Sequence, residues 1–149
     1  MKVELGAGTG AFRDRFLPGA VTTDRRAAEG IDLLVDATQL PFKPESVDEF
    51  VVNNPYGYGF QSVEAGIQFL EGIRTVLKSG GHLVMRASSR NPYAKGKRIE
   101  QAASKLGLNV KVRTIDAQKE FPGHIFLTTR SAPTIPNYEF VISKGEESK

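Results

Sequence analysis

Residues 1–10, MKVELGAGTG, place glycines at positions 6, 8 and 10 directly after a short apolar run. A β-strand followed by a glycine-rich turn and a helix brings backbone N–H groups and a helix N-terminus up to a ligand. We therefore predict a first strand at residues 1–5 and a helix at 10–16. This opening is typical of α/β folds that bind a ligand at the carboxyl ends of their strands.

Short apolar runs alternate with amphipathic segments along the rest of the chain. The predicted strands span residues 1–5, 20–24, 31–35, 47–53, 82–87, 109–115 and 138–143. The predicted helices span residues 10–16, 26–29, 62–77 and 93–106. This alternation predicts an α/β fold with a doubly wound, mostly parallel seven-stranded sheet in a three-layer sandwich.

The alternation stops near residue 116, and no convincing helix precedes the last strand. We therefore expect the last two strands to pair as an antiparallel edge, joined by a long loop over residues 117–136. A loop of this length in a compact domain is either functional or disordered.

Composition limits the kinds of site that the chain can form. Its 149 residues, of which 40% are hydrophobic, predict a single domain over residues 1–149. No apolar run approaches the roughly 20 residues that cross a bilayer, so we expect a soluble, cytoplasmic protein without membrane contact. The absence of cysteine excludes disulfides, thiolate metal sites and cysteine nucleophiles, and no metal site is expected.

The glycine spacing alone leaves two ligand classes open. Gly6, Gly8 and Ala11 fit the fingerprint of dinucleotide-binding folds, and Asp24 stands where a ribose-binding carboxylate is expected. A nicotinamide- or flavin-dependent oxidoreductase is therefore one alternative. Glu4 stands two residues before the first glycine, however, and a carboxylate there favours a ligand that carries an ammonium group over a pyrophosphate.

Four stretches occur in an order that identifies a family. They are VELGAGTG at 3–10, VTTDRR at 21–26, DATQLPFKPESVDEFVV at 36–52 and LKSGGHLVM at 77–85. Together they resemble the class I S-adenosylmethionine-dependent methyltransferases, from residue 1 to about residue 90 and more loosely beyond. The resemblance implies S-adenosylmethionine as the cofactor.

The resemblance assigns the methionine end of the cofactor to the first loop. Gly6, Ala7 and Gly8 would pass close to the methionine moiety, and Gly10 completes the glycine motif. Glu4 would hold the turn and reach the amino group of the cofactor.

The adenosine end is assigned to the next two strand ends. Asp24 would accept hydrogen bonds from both ribose hydroxyls, and Arg25 would border the adenine. Asp36 would accept a hydrogen bond from the exocyclic amine of the adenine, while the backbone of Ala37 would contact the edge of the adenine ring. The alternative for both aspartates is an ordinary cap or turn residue.

The stretch VVNNPYGYGF at 51–60 is similar to the [DNS]-P-P-[YFW] motif of methyltransferases that act on planar amino groups. Asn53 would contact the cofactor and accept the amine's protons, and Tyr56 would stack on the acceptor. Tyr58 or Phe60 could extend this aromatic surface. Asn54 replaces the first proline of the motif, and the whole stretch is also a good turn sequence.

Methyltransferases of this class usually carry helices before the first strand. With none here, the lid is expected from the loop at 117–136 or from a partner chain, or else the site is open to a large acceptor. Basic residues within 86–98 would suit RNA. The acceptor stays open among a small molecule, RNA and protein, and an inactive methyltransferase-like binding module is a further alternative.

Overall fold

The computed structural model describes residues 1–7, 17–122 and 135–145. Its elements in chain order are β1 (Lys2–Leu5), β2 (Val21–Asp24), β3 (Leu33–Leu34), β4 (Val47–Asn53), α1 (Val63–Val76), β5 (Leu77–Ala87), α2 (Gly96–Lys105), β6 (Asn109–Thr114), α3 (Ala117–Glu120) and β7 (Tyr138–Ser143). The helix predicted at 10–16 lies outside the described residues.

All seven strands form one sheet in the order β3-β2-β1-β4-β5-β7-β6. β1 to β5 pair in parallel, whereas β7 is antiparallel to both β5 and β6. The predicted mostly parallel, seven-stranded sheet with an antiparallel edge is therefore confirmed. Within that edge β7 lies between β5 and β6, so β6 is the outermost strand.

Two predicted helices differ from the structure. Residues 26–29 lie in a loop rather than a helix, because hydrogen bonds between Thr22 and Asp32 close the short segment between β2 and β3. The helix predicted at 93–106 begins only at Gly96, since Ala94 forms a β-bridge with Phe60.

The main core lies between one sheet face and the helices α1 and α2. Alternate strand residues such as Val3, Phe50 and Leu83 point to this face and are fully buried. The opposite face carries Val51 and Val84 in a smaller apolar cluster, together with charged residues described below. The sheet therefore separates an apolar side from a side where charges are buried.

Helix α1 begins at the position that its sequence predicts. The Ser62 side chain accepts a hydrogen bond from the backbone N–H of Ala65 at 3.0 Å and caps the helix. Its buried face includes Phe69, Leu70 and Ile73, which pack on the sheet.

Two glycines within α1 give opposite predictions. A Cβ at Gly66 would stand 2.5 Å from Cδ1 of Phe60, whereas one at Gly72 would meet only Leu40 at 3.9 Å. Gly66→Ala is expected to destabilise the fold by about 1–3 kcal/mol through overpacking. Gly72→Ala is expected to stabilise it by up to about 1 kcal/mol through helix propensity. Urea unfolding followed by circular dichroism measures both; a shift of both variants in the same direction would contradict this packing.

Candidate functional site

Three carboxylates lie at or just beyond neighbouring strands on the carboxyl edge of the sheet. Glu4 is in β1, Asp24 ends β2, and Asp36 follows β3. The strand order β3-β2-β1-β4 places them side by side, with Asn53 at the end of β4. The backbone N–H of Ala7 donates to the carbonyl of Thr23 at 2.8 Å, which fixes the turn after β1 beside β2.

Gly6 is required at this turn for two reasons. Its φ of +61° is in the left-handed region, and a Cβ there would stand 2.7 Å from the Tyr58 hydroxyl oxygen. The loop that follows β4 therefore lies directly over the end of β1. Gly8 and Gly10, which complete the predicted motif, lie outside the described residues.

Glu4 is a buried carboxylate on the charged side of the sheet. Burial raises its pKa to about 7, although the positive charge of Arg86 acts in the opposite direction. Glu4 therefore changes its charge near neutral pH, and a cationic ligand group beside it would favour the charged form.

Tyr58 holds its hydroxyl near two of the carboxylates. Its ring is buried against Phe69, with the ring centroids 5.7 Å apart. Burial raises the pKa of Tyr58, and the negative charges of Asp24 and Glu4 raise it further. The phenol is therefore neutral at physiological pH, and its hydroxyl has a fixed position above Gly6.

Asp24 and Asp36 both make the turn hydrogen bonds that the alternative interpretation predicts. Asp24 Oδ1 accepts from the backbone N–H of Arg26 at 3.1 Å. Asp36 Oδ1 accepts from the Thr38 hydroxyl at 2.7 Å and its backbone N–H at 2.9 Å, and these bonds lower the pKa of Asp36. Each carboxylate has a second oxygen, so a turn role and a ligand-binding role are compatible.

The remaining predicted adenosine-site residues differ in exposure. Arg25 is exposed, and its Nη1 lies 3.8 Å from the position that a Cβ on Gly57 would occupy. Arg25 thus reaches the loop after β4. The side chain of Ala37 is buried in the main core, which leaves its backbone for any ligand contact.

The side-chain amide of Asn53 is oriented by Arg86. Its Oδ1 accepts from Arg86 Nη1 at 3.4 Å, a bond that an amide nitrogen could not accept. Its Nδ2 is buried and has no hydrogen-bond partner among the described residues. Asn53 therefore combines a partly engaged oxygen with an N–H group that lacks an acceptor in this part of the chain.

Arg86 belongs to a charged network on the same side of the sheet. Its Nε donates to Glu139 Oε2 at 2.9 Å, and Arg113 Nε donates to Glu139 Oε1 at 2.8 Å. Arg113 also pairs with Glu120 of α3 at 2.8 Å, and the Arg86 guanidinium lies 4.8 Å from the Phe121 ring centroid. The network joins β5, β6, β7 and α3, and it ends at Asn53.

Glu139→Gln is expected to destabilise the fold by about 3 kcal/mol, because it leaves the buried Arg86 without its carboxylate. Burial alone would raise the pKa of Glu139, but Arg113 and Arg86 outweigh it and lower that pKa. The stabilisation is therefore present above the ordinary carboxyl pKa and lost as pH falls. Urea unfolding at neutral and acidic pH measures this. The matched Glu120→Gln, in the more exposed pair, should cost less than about 1 kcal/mol; equal costs would contradict the network.

The loop at residues 54–60 exposes only part of its aromatic content. Tyr56 is 46% exposed and packs beside Tyr93, whereas Tyr58 and Phe60 are buried. The expectation that Tyr58 or Phe60 would extend an exposed aromatic surface is therefore wrong. Their rings belong to the main core, and the neighbouring Gly57 and Gly59 adopt positive φ angles.

Three features of the site were missed from the sequence: Tyr58 over Gly6, the pairing of Arg86 with Glu139, and the contact of Tyr93 with Tyr56. A signal existed for the second. Arg86 and Glu139 each interrupt an apolar strand, and a charge buried in a strand needs a partner of opposite sign.

Among the described residues, no group of three or more histidine, aspartate and glutamate side chains is arranged to hold a metal ion. No helix in those ranges is long and apolar enough to cross a membrane.

The polar groups at the carboxyl edge of the sheet fit S-adenosylmethionine. Carboxylates suit its ammonium group, ribose hydroxyls and adenine amine, and the Gly6 turn allows close backbone approach. Asn53, whose buried N–H has no acceptor among the described residues, lies at the same edge, where the loop after β4 begins.

Comparison with known proteins bears on the fold. No family model and no curated protein matches the chain. Among solved structures, a Methanosarcina mazei SAM-dependent methyltransferase matches with a TM-score of 0.64 and 13% identity, over 98% of this chain and 92% of that one.

Two further structures have the same fold. A putative Haloferax volcanii methyltransferase, solved in complex with the Trm112 methyltransferase activator, matches with a TM-score of 0.57 and 16% identity, over 99% of this chain and 82% of that one. The [4+2]-cyclase SpnF matches with a TM-score of 0.58 and 14% identity, over 99% of this chain and 74% of that one. The chain has the fold of the class I S-adenosylmethionine-dependent methyltransferases.

Proposed function

We propose that the chain binds S-adenosylmethionine at the carboxyl ends of β1 to β4 and transfers its methyl group to a planar amino nitrogen. The observation that carries the proposal is the row formed by Glu4, Asp24 and Asp36 on three adjacent strands. Each carboxylate matches a different polar group of that one ligand.

The binding roles are those that the family resemblance implies, and the strand end on which each residue lies supports them. Glu4 faces the ammonium group, Asp24 the ribose hydroxyls and Asp36 the adenine amine, while Gly6 and Ala7 approach the methionine moiety through their backbone. Bound S-adenosylmethionine supplies an electrophilic methyl carbon. Arg25, which reaches the loop after β4, borders the adenine.

The acceptor lies at the loop after β4. Tyr56 offers an exposed aromatic face, and Asn53 stands at the end of the strand next to the cofactor turn. Stacking and hydrogen bonding would hold an amino group in line with the methyl carbon, and such alignment supplies much of the rate in methyl transfer. The Asn53 oxygen that would accept a hydrogen bond from the amine also accepts one from Arg86, which holds it in place, and the proton released on methyl transfer would pass to solvent.

The loop at residues 54–60 serves as part of the lid of this cleft. It lies over Gly6 through Tyr58 and beside Arg25 through Gly57. We propose a partner chain as a further source of covering surface; the Haloferax methyltransferase of the same fold was solved in complex with a methyltransferase activator.

A transfer assay tests the proposal. The protein is incubated with methyl-labelled S-adenosylmethionine and separate acceptor pools: adenine- and cytosine-containing oligonucleotides, peptides, and small aromatic amines. Label in a planar amino group supports the proposal. Label found only on oxygen would overturn the acceptor assignment, and tight cofactor binding without any transfer would favour the inactive binding module.

Cofactor affinity should rise with pH through the titration of Glu4. Because its pKa is raised to about 7 in the free protein, Glu4 is largely protonated at pH 6 and charged at pH 8. The dissociation constant for S-adenosylhomocysteine should therefore fall by roughly tenfold over this range. Calorimetric titration at both pH values measures it.

Glu4→Gln should weaken binding and remove this pH dependence, whereas Glu71→Gln, on the exposed face of α1, should change neither. The sign for stability is opposite. A raised pKa in the folded state means that the free protein loses stability as pH rises through 7, and Glu4→Gln removes that loss. An unchanged pH profile in the variant would contradict the role of Glu4.

A further inference from the structure

Tyr56 and Tyr93 form an aromatic surface from two different loops. Their ring centroids are 5.3 Å apart with planes at 55°, and Tyr56 is 46% exposed. Asn91 Nδ2 donates to the carbonyl of Pro55 at 3.1 Å, and the backbone N–H of Phe60 donates to the carbonyl of Tyr93 at 2.8 Å. These bonds fix the two loops to each other, so the ring pair is held by the backbone on both sides.

Several cationic residues lie within five residues of Tyr93 along the chain. Lys95 donates to the carbonyl of Ser89 and Arg98 to the carbonyls of Phe60 and Pro92, so both fasten the loops. Arg90 and Lys97, in the same stretch, are exposed.

Arg25 Nη1 lies 3.8 Å from the Cβ position of Gly57, the residue after Tyr56. Exposed cationic residues therefore lie near Tyr56 in space and near Tyr93 along the chain.

We propose that the Tyr56–Tyr93 surface binds single-stranded nucleic acid, with bases stacked on the rings and phosphates held by Arg90 and Lys97. This deepens the proposed function and rests on it, because it makes the planar amine an exocyclic amino group of a nucleobase. Stacking on protein rings needs a base whose face is free, which excludes a paired duplex. An acidic peptide would satisfy the cations but would not supply a regular series of planar faces.

Oligonucleotide binding, measured without cofactor, distinguishes base stacking from attraction between charges. The probes are a labelled oligoadenylate of about 12 nucleotides and an abasic oligomer with the same number of phosphates, followed by fluorescence anisotropy. The oligoadenylate should bind at least about tenfold more tightly than the abasic oligomer. Equal affinity for the two probes, equal affinity for a duplex, or no binding at low salt would overturn the proposal.

Two variants at one position test the ring directly. Tyr93→Ala should weaken oligoadenylate binding about tenfold and leave abasic binding unchanged, whereas Tyr93→Phe keeps the ring and should bind like the wild type. Melting temperatures of both variants exclude unfolding. If Tyr93→Ala binds oligoadenylate as tightly as Tyr93→Phe while folded, the ring has no stacking role.

The charges are tested by salt dependence. Replacing Arg90 and Lys97 together by glutamine should lower the slope of log K against log salt by about 1.4, equally for both probes. Replacing Lys43 and Lys111, which are exposed elsewhere, makes the same change in net charge and should leave the slope near wild type. Equal slope changes in the two double variants would show general attraction and overturn the assigned phosphate contacts.

The outcomes distinguish this inference from the proposed function. Methyl transfer to a small amine or peptide without oligonucleotide binding would remove the inference and leave methyl transfer in place. Oligonucleotide binding without any affinity for S-adenosylmethionine would remove the proposed methyl transfer and leave the nucleic-acid surface in place.

Discussion

Asp24→Ala is expected to weaken binding of S-adenosylmethionine by about 100-fold or more. Asp24 ends β2 at the cofactor edge, where its carboxylate accepts both ribose hydroxyls in the proposed complex. Hydrogen bonds to a charged group contribute about 1.5–3 kcal/mol each, so the loss of two gives an effect of this size. Calorimetric titration with S-adenosylmethionine and S-adenosylhomocysteine measures it.

Asp48→Ala is the matched control for this experiment. Asp48 is exposed near the amino end of β4, where it pairs with the N-terminal ammonium group and with Lys78. It lies at the opposite edge of the sheet, so its loss should leave cofactor affinity within about threefold of wild type. If folded Asp24→Ala protein binds like Asp48→Ala, the ribose assignment is wrong and Asp24 is only a turn residue.

Asn53→Ala is expected to spare cofactor binding and to lower kcat by about 100-fold or more. The amide lies at the end of β4, and its loss removes the group proposed to align the acceptor amine. Asn53→Asp keeps an oxygen acceptor beside Arg86 and should retain measurable turnover. The assay uses labelled S-adenosylmethionine with an acceptor that the wild-type protein methylates.

Asn109→Ala, at the exposed start of β6, controls for an unspecific effect of removing an amide. Turnover of Asn53→Ala equal to that of Asn109→Ala would refute the role of Asn53. A large loss of cofactor affinity in Asn53→Ala would move the residue from the acceptor site to the cofactor site.

The fold could be predicted where a local pattern decides the structure. The spacing of Leu70, Ile73 and Val76 marks the buried side of α1, and Ser62 marks its start. The bounds of β4 and β7 also follow from their apolar runs. The position of β7 between β5 and β6 could not be predicted, because strand order depends on contacts between distant segments and leaves no local pattern.

The part of the site that lies at strand ends could be predicted, because the sequence pattern predicts where the strands end. Glu4, Asp24 and Asp36 reach one edge because each lies in, ends or follows a parallel strand. The location of Tyr58 was not predictable, since a tyrosine between two glycines has the same sequence pattern whether its ring is buried or exposed. The partnership of Arg86 with Glu139 depends on the register of β5 and β7, which pairs these two residues directly.

The assignment of a reaction rests on the residues at the edge, because one fold can host unrelated reactions. In the proposed complex Glu4, Asp24 and Asp36 each meet a different polar group of S-adenosylmethionine, whereas a dinucleotide would bring a pyrophosphate close to Glu4. S-adenosylmethionine would therefore place a positive charge near Glu4, whereas a dinucleotide would place a negative charge there.

The most direct measurement is calorimetric titration of the purified protein with S-adenosylmethionine, S-adenosylhomocysteine and NAD, side by side at pH 8. We predict saturable binding of the first two and none of NAD. Binding of NAD alone would contradict the account and favour a dinucleotide-dependent oxidoreductase. Absence of binding by all three would show that the carboxylate row does not form a cofactor site in this chain.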